Sequence, residues 1–435
     1  MSEVRQIDDS PLARARRHTA VMVASGRGGF VEIRRGTWEA VHGLSGHDPS
    51  GTGPEAAPAD PAALDALVDR ALHDHLHRQR LWPARTDSER LTRAFRALDE
   101  SGILAREDCS CCDRCARSAV QAEAEAHSAV AEGPNVRGYA FFHERDAESA
   151  MGGGSLWIGF GALHEIRHAA VGDEIAQTLR AHGLTVTWDG DPDRKLEVGL
   201  DWRRRRWDRG AARPGVPVDG EPEVEVAYTG PGPFGVPEWM DHYQGRVTVR
   251  ELARMVLPWL PGGCAATLTS DRGHVIAVER DADLLRVSRP RRLLARERLE
   301  EPLSRWAVGG CWPTEDASSP RTGVLDVKYS DTCGTGIGFV EYPEPMETAA
   351  ACDLVHRLTP AEGSFAVFDA PGGTVVQMVW EAGPRLWMES PSPEESLSRG
   401  RHVTASEAEE MVRILAEEGR VALADLGALA VTSWR

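Results

Sequence analysis

An α+β fold is predicted by three features of the sequence. Helical periodicity dominates up to residue 102. Strands and helices alternate from 103 to 202. An approximate repeat of helix, turn and three alternating strands follows residue 222. The predicted organisation is a helical segment (1–85), an α+β domain carrying a cysteine cluster (86–208), a linker (209–222) and two small α+β modules (223–320 and 321–435).

The elements follow in order. Short helical patterns at 11–45 are broken by "GRGG" (26–29), and a Pro/Gly-rich loop is expected at 48–62. "DPAALDALVDRALHDHL" (60–76) opens with Asp60 as N-cap and Pro61 at the first helical position; Leu64, Leu67, Val68 and Leu72 form its apolar stripe. "TDSERLTRAFRALDESG" (86–102) sets Leu91, Phe95 and Leu98 on one helix face and ends at Gly102. "ILARE" (103–107), "RGYAFFHE" (137–144), "SLWIGFGA" (155–162) and the hairpin "LTVTWDG"/"KLEVGLDW" read as strands, with helices at 112–131 and up to 183. The order β-α-β-β-α-β is similar to ferredoxin-like layers with helices on one face. The repeat pairs 249–288 with 348–390, and the second copy adds a closing helix with Thr404 and Glu407 as its capping box.

At 435 residues, about two to four domains are expected. The formal net charge of −17 argues against a nucleic-acid partner, because phosphate binding needs clustered Lys and Arg. No apolar run approaches transmembrane length and the N-terminus lacks the apolar core of a secretory signal, so no membrane association and a cytoplasmic location are expected. The eight cysteines are then expected to be reduced thiols.

The strongest chemical signal is "EDCSCCDRCARSAV" (107–120), with Cys109, Cys111, Cys112 and Cys115. A strand ends and a helix begins at Cys112-Asp-Arg-Cys115, so the last two thiols share a helix face near the positive end of its dipole. That geometry suits a dithiol redox pair or half of a zinc knuckle. No second CxxC exists; Cys264, Cys311, Cys333 and Cys352 are scattered. His143, on the neighbouring strand, is the outside candidate. The alternatives stay open: inert thiols packed at a strand–helix junction, a metal site, or a redox pair.

Together, "LWPARTDSERLTRAFRALDESGILAREDCSCCDRCA", "RGYAFFHERDAESA" and "LTVTWDGDPDRKLEVGLDWRRRR" resemble an uncharacterised bacterial domain family common in actinobacteria. The pattern WP-x-x-TD, CC-x-x-C, GY-x-FFH-x-x-D, a W-DG hairpin and a WRRR end recurs in order over roughly 10–208. Cys111, Cys112, Cys115, His143 and Asp146 match the pattern. Cys109 departs from it, standing where an aromatic is usual. The resemblance points to Cys112, Cys115 and His143 as a unit, with Cys111 facing elsewhere and Cys109 outside.

Other motifs carry less. "HEIRH" (164–168) spells a zincin motif, but Val171 stands where the extended motif needs Gly. "WRRRRWDR" (202–209) is expected to be a solvated run paired with local acids. "CGTGIGF" (333–339) lacks the Lys-Ser/Thr of a phosphate loop, and His73 and His77 share the face of a solvated helix end. Trp259, Trp306, Trp312, Trp380 and Trp387 fall in the repeat as core or anchor residues.

No complete catalytic constellation is present, so a non-enzymatic interaction protein is expected first. Residues 321–435 carry 9 Lys+Arg against 18 Asp+Glu, a net of −9, which suits a basic protein partner. The modules also loosely resemble the acidic α+β immunity proteins of bacterial toxin systems. The alternative is a metal-binding protein, zinc being the cofactor raised, or a thiol-redox protein. Its metal ligands are drawn from Cys112, Cys115, His143 and Cys111; its redox pair is Cys112 and Cys115.

Overall fold

The computed structural model describes residues 10–42, 60–129, 135–163, 167–230, 235–281, 284–288, 291–312, 323–332 and 339–433. They fall into two compact units. One comprises Met1–Trp82, Arg204–Glu279 and Leu285–Asp316; the other comprises Pro83–Arg203, Arg280–Leu284 and Ala317–Arg435. The α+β expectation holds: helices combine with sheets of five, six and seven strands. Most of the loop expected at 48–62 lies outside the described residues.

Three helices open the first unit: α1 (Pro11–Ser25), α2 (Phe30–His42) and α3 (Pro61–Gln79). The Ser10 side chain caps α1 by accepting from Ala13 N–H, and Asp60 caps α3 by accepting from Ala62 N–H, as expected of Asp-Pro at a helix start.

The cysteine-bearing layer lies in the second unit. Its elements are α4 (Asp87–Glu100), β1 (Ile103–Arg106), α5 (Asp113–Ser128), β2 (Gly138–Phe141), α6 (Glu144–Met151), β3 (Leu156–Ala162), α7 (His168–Ala181), β4 (Thr185–Thr187) and β5 (Leu196–Gly199). The predicted β-α-β-β-α-β order therefore gains a helix, α6, and its strands run β1-β2-β3-β5-β4, with β1 and β2 parallel. Helices cover both faces, not one. Leu91, Phe95 and Leu98 of α4 and Ile175 and Leu179 of α7 pack with Ala105, Ala140 and Phe142. On the opposite face, Ala116, Val120 and Ala124 of α5 pack with Leu104, Tyr139 and Phe141. The physical reason is visible in β1 and β2, whose residues are buried on both sides, as parallel strands require. Two β3 glycines leave room for the aromatic rings of β2. A Cβ at Gly159 would meet the Phe141 ring at 2.6 Å, and one at Gly161 would meet the Tyr139 ring at 2.4 Å.

The first module, mostly in the first unit, begins with the turn α8 (Asp208–Ala211), β6 (Glu223–Thr229), α9 (Glu238–Asp241) and β7 (Gly245–Thr248). A helical stretch follows, from α10 (Val249–Glu251) through a π-turn (Leu252–Val256) and a 3₁₀ turn (Leu257–Trp259). Then come β8 (Ala265–Ser270), β9 (Val275–Asp281), β10 (Leu284–Ser288), β11 (Arg291–Ala295) and α11 (Glu300–Gly309). The second module has β12 (Val324–Ser330), β13 (Phe339–Glu347), α12 (Thr348–Arg357), β14 (Phe365–Asp369), β15 (Val375–Glu381), β16 (Arg385–Ser392), β17 (Leu397–Val403), α13 (Ala405–Glu418) and β18 (Ala430–Ser433).

The repeat is now explicit. The first sheet runs β7-β6-β8-β9-β10-β11 and the second β13-β12-β14-β15-β16-β17, with β18 added at its edge. Each copy is a hairpin, a helix, four strands and a closing helix. The sequence pattern suggested three strands per copy and a closing helix in the second alone. The fourth strands, "RRLLA" and "LSRGRHV", are rich in arginine, which obscures their alternation, and Pro302 disguises α11. The Thr404–Glu407 capping box is present. Trp306 and Trp380 are buried in the two cores, while Trp259, Trp312 and Trp387 are half-buried.

Two stretches are rich in arginine contacts. Residues 209–222 are anchored rather than free: Asp69 of α3 accepts from the Arg213 guanidinium at 2.8 Å and the Gly215 N–H at 2.8 Å. Within "WRRRRWDR", Arg206 is buried with its five N–H donors on five backbone oxygens. Nε donates to Val23; Nη1 donates to Gly28 and Gly210; Nη2 donates to Met22 and Arg27. Backbone carbonyls satisfy this guanidinium, the C-terminal end of α1 supplying two of them, whereas the more exposed Arg203 pairs with the local acid Asp201 as expected. No helix among the described residues is long and apolar enough to cross a membrane.

Candidate metal centre

The loop between β1 and α5 shapes the cluster. Asp108 (φ 49°) and Ser110 (φ 68°) both take left-handed backbone conformations, uncommon for residues other than glycine. Two backbone bonds tie the loop to the end of β2: Cys109 N–H donates to Phe142 at 3.1 Å, and Glu144 N–H donates to Ser110 at 3.1 Å. The Cys109 sulfur thereby turns inward, 3.6 Å from the Phe142 carbonyl oxygen and against the core beneath α5. Burial pushes its thiol up to about 12.

The other three cysteines gather outside. The sulfurs of Cys111, Cys112 and Cys115 lie within 4.8 Å of one another, Cys111 and Cys112 half-buried and Cys115 exposed. Among the described residues this is the one group of three or more His, Cys, Asp or Glu side chains close enough to share a metal ion. Cys112 is the N-cap of α5, though its side chain completes no capping hydrogen bond. The nearby Cys115 N–H holds the Cys112 thiol below its ordinary value, while the neighbouring Cys112 sulfur pushes the Cys115 thiol up.

His143 is placed elsewhere. It is the N-cap of α6, where Nδ1 accepts from the Asp146 N–H at 3.3 Å, and Nε2 lies 3.2 Å from the Asp146 carboxylate. Both ring nitrogens are engaged at this cap, and Nε2 also lies 3.5 Å from Lys195 Nζ. Lys195 bridges this cap to the start of α5, with Nζ 3.1 Å from Asp146 and 3.0 Å from Asp113. The structure thus brings Cys111, Cys112 and Cys115 together, sets His143 in the α6 cap, and leaves Cys109 out. Cys111, named among the candidate ligands though the resemblance implied that it faces elsewhere, lies with the other two beyond the left-handed turn at Ser110.

Among the described residues, the remaining motifs supply no competing centre. The rings of His73 and His77 lie 6.4 Å apart on the exposed face of α3. Of "HEIRH", residues 164–166 lie outside the described residues, and His168 opens α7 with its ring edge-on to Phe160. Most of "CGTGIGF", Cys333 included, also lies outside the described residues.

Residues 8–206 match the family described as Domain of unknown function (DUF6891), a span that contains the whole cysteine cluster and His143. No curated protein matches the chain, and no solved structure matches it.

Proposed function

We propose, starting from a family match that spans the cysteine cluster, that the protein binds a soft metal ion through Cys111, Cys112 and Cys115. The observation that carries this reading is the convergence of three sulfurs within 4.8 Å at a helix N-terminus. Thiolates are the preferred ligands of soft and borderline ions, and the dipole of α5 favours the ionised form. Zinc, the ion raised by the sequence, would fill its fourth position with water or an external ligand. Metal analysis of the reduced, purified protein tests the reading. About one equivalent is expected, falling in Cys112→Ser and Cys115→Ser; under about a tenth of an equivalent after reconstitution with soft ions would end it.

A second reading, protein interaction with a basic partner, is favoured by the net charge of −9 over residues 321–435. Part of that excess is answered locally, since Arg413 pairs with Glu410 and Glu417, and Arg420 with Glu418 and Asp425. Low-salt pull-downs from the native host test it: failure to recover a basic protein whose capture weakens with salt counts against it.

A further inference from the structure

We infer that the centre is a three-coordinate thiolate site, suited to a thiophilic ion satisfied by three sulfurs, such as trivalent arsenic or Cu(I). The inference rests on the metal-binding reading above and specifies its coordination number. A closed zinc site needs a fourth protein ligand. Each nearby candidate is committed elsewhere. Cys109 is turned into the core, with its sulfur 3.6 Å from the Phe142 carbonyl oxygen. His143 has one ring nitrogen on the Asp146 N–H and the other against the Asp146 carboxylate. Asp113, on the first turn of α5, faces the Lys195 ammonium at 3.0 Å. Among the described residues no other His, Cys, Asp or Glu joins the three sulfurs.

The site is also open on its outer side, since Cys115 is exposed and Cys111 and Cys112 are only half-buried. Zinc held there keeps an exchangeable fourth position, whereas trivalent arsenic, with its lone pair, completes its shell with three sulfurs. The binding step balances without redox change. Arsenous acid and three thiols give one arsenic bonded to three sulfurs and three waters. Three As–O bonds break, three As–S bonds form, and each thiol proton leaves on a hydroxide.

The test uses the full chain, reduced, titrated with arsenous acid and separately with zinc, and read by intact mass and by iodoacetamide labelling. The expected product carries one arsenic and has lost three hydrogens. Cys111, Cys112 and Cys115 are protected from label, while Cys311 is still modified. Each of Cys111→Ser, Cys112→Ser and Cys115→Ser should weaken arsenic binding by more than the roughly 10- to 100-fold typical of an outer-shell change. Cys109→Ser, with folding checked by circular dichroism, should retain it. The three-coordinate assignment is overturned if the zinc-loaded protein resists excess arsenous acid, or if cobalt substitution shows a tetrahedral site with a fourth protein ligand. Either result leaves metal binding itself standing. If neither ion binds or protects any of the three thiols, both readings fail together.

Discussion

Arg93 of α4 and Glu409 of α13 meet as a two-pronged fork. Nη2 lies 2.8 Å from Oε1, and Nη1 donates to Oε2. His356 of α12 adds a third contact, with Nε2 3.0 Å from the same carboxylate. Both partners of the fork are mostly buried. Removing one leaves the other charged and under-solvated. We expect Arg93→Met and Glu409→Gln each to destabilise the second unit by about 2–4 kcal/mol, with non-additive losses in the double variant. Hydrogen exchange across α4, α12 and α13 would report this, and changes within about 0.5 kcal/mol would show the fork to be energetically idle.

His75 gives the first unit a pH dependence. Burial, reinforced by the positive charge of Arg206, lowers its pKa to about 4. Its ring donates from Nε2 to the Arg204 carbonyl oxygen at 3.1 Å and sits edge-on to Trp82. The unfolded chain takes up this proton near pH 6.5, the native protein only near pH 4. Stability is therefore fully present above pH 6.5 and lost as the pH falls toward 4, about 3 kcal/mol in all. A His75→Gln variant should flatten that slope in urea titrations between pH 7 and 4; an unchanged slope would assign the dependence to other groups.

Arg206 offers a sharper test of geometry than of charge. An ammonium has three donors and cannot reach the five carbonyl oxygens that the guanidinium serves. Arg206→Lys should cost about 3 kcal/mol or more of the first unit's stability, nearly as much as Arg206→Met. Chemical denaturation of both variants decides the point; a lysine variant within about 0.5 kcal/mol of wild type would mean that charge alone suffices.

Thiol reactivity should divide by burial. Cys264 and Cys352 are buried, and Cys109 packs against the core, whereas Cys115 and Cys311 are exposed. Brief native labelling with iodoacetamide, mapped by mass spectrometry, should modify Cys115 and Cys311 well before Cys109, Cys264 and Cys352. Early labelling of Cys109 would contradict its inward orientation.

Local signals were legible where one residue's chemistry decides a boundary. Asp60-Pro61 starts α3, Thr404 and Glu407 close a capping box, and the apolar face of α4 is the predicted one. The repeat was visible because both copies carry the same alternation. What stayed hidden depends on distant partners. The burial of Arg206 is set by carbonyls 178 to 184 positions away, and nothing in "WRRRR" announces them. That Cys111, a candidate from the start, lies beside Cys112 and Cys115 rather than facing elsewhere depends on the left-handed backbone at Asp108 and Ser110. His143 looked like a ligand because it matches a motif, yet Asp146, three residues on, had already engaged its ring.

The five-carbonyl clasp of Arg206 has a consequence in time. The chain emerges from the ribosome N-terminus first, so Met22, Val23, Arg27 and Gly28 are made long before Arg206 and Gly210. At ordinary elongation rates the delay is roughly 10–40 s. During it, the end of α1 has its carbonyls answered only by water or by helpers. The first unit, interrupted by residues 83–203, is thus completed after synthesis has passed through much of its neighbour. Stalled nascent chains ending near residue 200 should leave α1 readily cut by protease, and chains released beyond 316 should protect it.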